Sequence, residues 1–136
     1  MRSLFSNVLL WSLVAAIPAG AAGDMANSRE STQLVMMEED GCGWCERWLQ
    51  EIGGLYHKTP EGRFAPLRRV DVHGPLPRDL GFLKPSYFTP TFILVSSGKE
   101  IGRIQGYPGE DFFWVMLGDL LAKLKPAGPI EAEAGR

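Results

Sequence analysis

Cysteine and histidine are both scarce in this chain, with two of each in 136 residues. Two cysteines cannot build the multi-bridge framework that stands in for a core in small exported domains. They are also too few for structural zinc, which takes four ligands. The sequence supplies no second C-x-x-C and no H-x-x-x-H pair, and His57 and His73 stand alone. No block of like charge is long enough to form a basic footprint, and 14 basic against 16 acidic residues leave a net charge of −2. Nucleic-acid binding is therefore not expected. No internal repeat is visible, which argues against a solenoid. Past the leader, no hydrophobic stretch exceeds about seven residues, well short of the roughly twenty a membrane-spanning helix needs.

The leader is what stands out first. Arg2 supplies a positive start, Val8 to Ile17 are mostly apolar, and Pro18 to Gly23 form a small-residue region in which Ala19-Gly20-Ala21 fits an A-x-A cleavage pattern. Residues 1–23 thus read as a secretory signal peptide, with an uncleaved N-terminal anchor as the competing reading. Residues 24–126 form one domain, large enough to bury a core without staples. Residues 127–136 read as a disordered tail.

Along the domain, Thr32 to Met37 is a short apolar run and predicts a buried strand. From Gly43 to about His57, Cys45, Trp48, Leu49, Ile52 and Tyr56 recur at three- and four-residue spacing, the mark of an amphipathic helix. Thr59 to Pro66 reads as a loop and Leu67 to Val72 as a second strand. Arg78 to Leu83 reads as a short helix after the break at Pro75 and Pro77. Thr91 to Ser96 is the strongest strand, and Glu100 to Gln105 alternates as its hairpin partner. Glu110 to Lys125 predicts a helix with Phe113, Met116, Leu117, Leu120, Leu121 and Leu124 on one face, ended by Pro126. The first strand–helix–strand unit should be a right-handed parallel crossover. The result is an α/β domain: a mixed four-stranded sheet in the order β-α-β-α-β-β-α, covered by helices.

The chemistry lies in Gly41-Cys42-Gly43-Trp44-Cys45. The pair falls where a strand hands over to a helix. At the helix N-cap, unpaired backbone N–H groups and the positive dipole end favour thiolate over thiol at Cys42, and thiolate is the species that attacks disulfides. Cys45, three residues on, can close a ring with Cys42 and is less exposed. This gives a nucleophile and a resolving thiol, and calls for no metal and no cofactor. A structural staple is the weaker reading, because so short a loop constrains the unfolded chain by only about 2 kcal/mol. Two-coordinate copper delivery is the metal reading that remains open. Covalent haem is not open, because it needs C-x-x-C-H and Glu46 follows Cys45.

The cysteine run, Thr89-Pro90-Thr91-Phe92 ahead of a hairpin, and Gly106 after it together resemble the thioredoxin superfamily over residues 32–125. The resemblance implies a cis peptide bond at Pro90, although a trans proline opening a strand is the commoner case. It also implies that Thr89 pairs with the backbone of a protein disulfide substrate and that Gly106 allows close approach. Tyr56 to Val72 and Gly102 to Trp114 look like the small periplasmic thioredoxins encoded with bacterial sulfur-oxidation systems, the SoxS type. That likeness implies a periplasmic protein that keeps a partner protein's cysteine chemistry in working order, with a sulfur carrier as the candidate partner. A membrane thiol transporter would be the electron donor, and the chain a monomer.

The pattern departs from typical thioredoxins in three places. Gly41 replaces a Trp before the first cysteine, Gly43-Trp44 replaces Gly-Pro, and Met36 stands where a buried acid is usual. Glu38, Glu39 or Asp40 could take over a proton relay, or be solvated turn residues. With Glu46 they would raise a thiolate's pKa, and Arg47 is expected to face solvent; this leans toward a reductase over a disulfide-forming oxidant. Trp44 offers a docking surface or simple packing over the site. Phe112 and Trp114 are either a docking face or core. A non-catalytic binding or regulatory module on the same fold is the other functional class, since fold does not settle function.

Overall fold

The computed structural model describes residues 32–124; the leader, the tail and the stop at Pro126 lie outside the described residues. Strand β1 is Gln33–Glu38. Helix α1 is Gly43–Trp48, continued by a π-helical segment Leu49–Gly53 and a last turn, α2, Gly54–Tyr56. Helix α3 is Pro60–Phe64, and β2 is Leu67–Asp71. A 3₁₀ turn, Arg78–Leu80, precedes β3, Thr91–Ser96, and β4, Lys99–Gln105. Helix α4, Glu110–Ala122, follows.

The four strands form one sheet in the order β2-β1-β3-β4. β1 and β2 are parallel, as the crossover requires, and the other two pairings are antiparallel. The β3–β4 hairpin turns on Ser97 and Gly98, both at positive φ, the geometry that matches the twist of a two-residue hairpin. β3 is buried along its whole length, as its unbroken apolar run predicts.

The core has two layers. On one face Leu34, Met36, Phe92, Leu94 and Ile104 of the sheet meet Trp48, Ile52 and Tyr56 of the first helical stretch and Phe113, Leu117 and Leu120 of α4. Trp48 is its centre, with ring centroids 5.0 Å from Phe92 and 5.5 Å from Phe113. On the other face Val35, Met37, Val70, Ile93 and Val95 are covered by Leu80 and Leu83, from a segment that prolines keep out of α-helix.

Four expectations change. Residues 60–64 are helical, not loop: the Thr59 hydroxyl accepts from the Gly62 N–H at 3.0 Å and Pro60 occupies the first turn, a start signal readable as an N-cap followed by proline. Residues 78–83 form only the 3₁₀ turn and a following bend. Met116 is exposed, because the buried stripe of α4 runs through Phe113, Leu117 and Leu120 and leaves Met116 to one side. α4 also ends earlier than expected, as the Lys123 and Leu124 N–H groups reach back only three residues.

Candidate active site

Strand register brings the separate motifs to one end of the sheet. Met37 at the end of β1 lies opposite Thr91 at the start of β3, and Thr91 lies opposite Gln105 at the end of β4. The segments just beyond these three residues carry Cys42, Pro90 and Gly106. The Gly106 N–H donates to the Pro90 carbonyl at 2.7 Å. The Thr89–Pro90 peptide is cis.

Cys42 and Cys45 are joined by a disulfide with Cα atoms 5.2 Å apart. Cys42 caps α1: its Sγ accepts from the Cys45 N–H at 3.1 Å. Both cysteines are buried, Cys42 slightly less so, at 8% exposure against 3% for Cys45. Gly41, at φ +75, makes the bend between β1 and the cap, a conformation glycine adopts without strain. Trp44 projects from the first turn and is 56% exposed.

A crevice of about 180 Å³ opens beside the pair, lined by Glu38, Glu39, Asp40, Cys42, Cys45 and Arg69 among others. Its acids are not a bare negative field. Both carboxylate oxygens of Glu38 accept from the Arg69 guanidinium, at 2.8 and 2.9 Å. Glu39 accepts from the Thr89 hydroxyl at 2.5 Å and meets His73 Nε2 at 2.9 Å. The Thr89 hydrogen bond, and after it His73, hold the Glu39 carboxyl below the usual carboxylate range. Met36 is wholly buried, and its thioether carries no proton.

Arg47 is solvent-exposed as expected, yet it is engaged. Its Nε donates to Glu51 at 2.8 Å, and its guanidinium lies 5.6 Å from the Trp44 ring centroid. Glu51 also accepts from the Tyr107 hydroxyl at 2.5 Å. The spacings 44/47 and 47/51 are neighbours on a helix, a signal that was available; Tyr107 and Glu39 carry none. Phe112 is exposed, whereas Trp114 is part-buried and stacks on Tyr56 at 6.1 Å.

The comparison that decides the family is with the crystal structure of the periplasmic thioredoxin SoxS from Paracoccus pantotrophus in its reduced form. Identity is 47% over 69% of this chain and 99% of that one, with a TM-score of 0.66. The chain belongs to the thioredoxin superfamily. Its fold is the thioredoxin fold, and its C-x-x-C disulfide makes it a thiol–disulfide oxidoreductase. A thioredoxin from Thermus thermophilus shares the fold at 20% identity, covering 88% of this chain and 95% of that one, with a TM-score of 0.53. No family model matches the chain, and no curated protein matches it.

Proposed function

We propose that this thioredoxin-like protein is a periplasmic reductase of protein disulfides, with Cys42 as nucleophile and Cys45 as resolving thiol. In the reduced protein the Cys42 thiolate attacks one sulfur of a substrate disulfide. A mixed disulfide forms and one substrate thiolate leaves. Cys45, losing its proton, attacks the Cys42 sulfur; the Cys42–Cys45 disulfide forms and the second substrate thiol is released. The substrate gains two electrons and two protons, and the protein ends in the disulfide state described above. A membrane thiol transporter returns the two electrons.

The observation that carries this reading is the disulfide at the head of α1, both cysteines lining the crevice and Cys42 the slightly more exposed of the two. The likeness to a periplasmic thioredoxin supports the compartment, and the leader at residues 1–23 supports export of residues 24–126. Trp44 docks the partner, the Thr89 backbone pairs with its extended chain, and Pro90 and Gly106 shape that edge. The protein acts as a monomer on a partner cysteine, with a sulfur-carrier protein the natural candidate.

The test is the reduction potential of the Cys42–Cys45 pair, together with a Cys45→Ser trap. A value near about −270 mV and a stable mixed disulfide with the partner support the reductase; a value near about −120 mV makes the protein a disulfide-forming oxidant. Activity that survives Cys42→Ser would leave only the binding-module reading.

A further inference from the structure

Glu39 touches both halves of the site. Its backbone carbonyl accepts from the Cys42 N–H at 3.4 Å. Its carboxylate accepts from the hydroxyl of Thr89, 50 residues away in sequence, and meets His73 on the loop after β2. One residue thus ties together the turn that carries the nucleophile and two loops at the same end of the sheet. The loop before β3 has further braces. Thr91 Oγ donates to the Phe88 carbonyl at 2.6 Å, and Arg103 donates to Ser86 Oγ at 3.5 Å. The Thr91 bond braces the peptide leading into Thr89, and the Glu39 carboxylate is what holds the Thr89 side chain.

The rest of that loop presents Tyr87 and Phe88, 86% and 62% exposed. A loop this open is placed by its few polar ties, since it contributes little to the core.

We propose that Glu39 is a positioning residue for the substrate-pairing loop. It fixes the Thr89 backbone relative to the Cys42 sulfur, so that a bound polypeptide strand delivers its disulfide in register. It takes no part in the exchange itself. This rests on the exchange reading above, in which the Thr89 backbone holds the substrate chain. An edge that holds a polypeptide is of no use to a disulfide that has none. Losing the tie should therefore separate large substrates from small ones.

The experiment compares wild type, Glu39→Ala, Glu39→Gln and Thr89→Val on two substrates: insulin, and hydroxyethyl disulfide, which is small and uncharged. Glu39→Ala is expected to raise KM for insulin about five- to tenfold, the scale of one ordinary net hydrogen bond. Its kcat for insulin and its rate with hydroxyethyl disulfide stay within about twofold, because the sulfur chemistry is untouched. Thr89→Val should raise the insulin KM to a similar degree, and the double variant Glu39→Ala/Thr89→Val should raise it no further than either, as expected of two ends of one contact. Glu39→Gln keeps an acceptor for the hydroxyl and should recover most of the loss.

An unchanged insulin KM, or an equal slowing on both substrates, overturns the proposal. So does additivity in the double variant. A wild-type protein that reduces hydroxyethyl disulfide but not insulin overturns the pairing edge on which the proposal depends. One that reduces neither overturns the exchange reading itself.

Discussion

The backbone N–H of Gly106 donates to the carbonyl of Pro90 at 2.7 Å, one step beyond the last ladder pair of the β3–β4 hairpin, Thr91 with Gln105. Gly106 reaches it at φ +79. A Cβ there would meet nothing within 4 Å, so the constraint is backbone conformation and not space. Gly106→Val should therefore cost about 1–2 kcal/mol, the penalty of a left-handed residue, or else move the segment and lose the bond. Urea unfolding reads the first outcome. A rise in KM for insulin at unchanged stability reads the second. A variant unchanged in both would mean that the bond has no role.

Two other glycines should respond in opposite directions. A Cβ on Gly62 would lie 1.8 Å from the Tyr56 carbonyl oxygen, where α3 packs on the end of the preceding helical stretch. That oxygen also accepts from the Thr59 hydroxyl at 2.8 Å, and the Tyr56 hydroxyl donates to the Ala65 carbonyl at 2.9 Å, so neither element can retreat freely. Gly62→Ala should destabilise by several kcal/mol, in the range of steric overpacking or worse. Gly54 is helical, exposed and has open space around its Cα. Gly54→Ala should stabilise by about 0.5–1 kcal/mol through lost unfolded-state entropy. Thermal melts of the two variants check both signs.

This contrast also shows where sequence reading stops. The strands, the long helices and the cysteine cap follow from periodicity and turn chemistry, which are local. β3 could be placed from Thr91 to Ser96 because six consecutive residues suit a strand buried on both faces. The helix at 60–64 was equally local, but Thr59 and Pro60 also read as turn formers, and without knowing that Gly62 packs on Tyr56 the turn reading prevails. The partners of Glu39 were not legible at all. An acid in a turn is ordinarily solvated, and only the fold brings Thr89 and His73 to it. Arg47 is a mixed case: its pairing with Glu51 has helical spacing and is legible, while the buried Tyr107 reaches Glu51 from 56 residues away.

Glu51 should give stability a pH dependence on the acid side. The Tyr107 hydrogen bond first, and the Arg47 contact second, hold its carboxyl below its ordinary value of 4.5. A carboxyl lowered in the folded state adds stability above its unfolded pKa, and that contribution disappears as pH falls through the folded value. Wild type should therefore lose stability as pH falls below 4.5 more steeply than Glu51→Gln, which cannot titrate there. Urea unfolding across that range checks the slopes. Parallel curves would mean that the Tyr107–Glu51–Arg47 contacts are energetically silent.

Trp44 ends that same chain of contacts. Tyr107 is buried, its hydroxyl fixes Glu51, Glu51 fixes Arg47, and the Arg47 guanidinium lies over the Trp44 ring. The indole is thus held in place beside Cys42 while remaining 56% exposed, the state of a contact surface that awaits a partner. An exposed ring contributes little to folding, so Trp44→Ala should change stability by no more than about 0.5 kcal/mol. If the ring docks the substrate, KM for insulin should rise about tenfold, as for an aromatic anchor at an interface, with hydroxyethyl disulfide reduced at the wild-type rate. Tyr107→Phe loosens the far end of the chain and should move KM in the same direction by less. A Trp44→Ala protein that is clearly less stable yet keeps its KM would make the ring a lid packed over the cysteines, and would shift the docking role to Tyr87 and Phe88 on the facing loop.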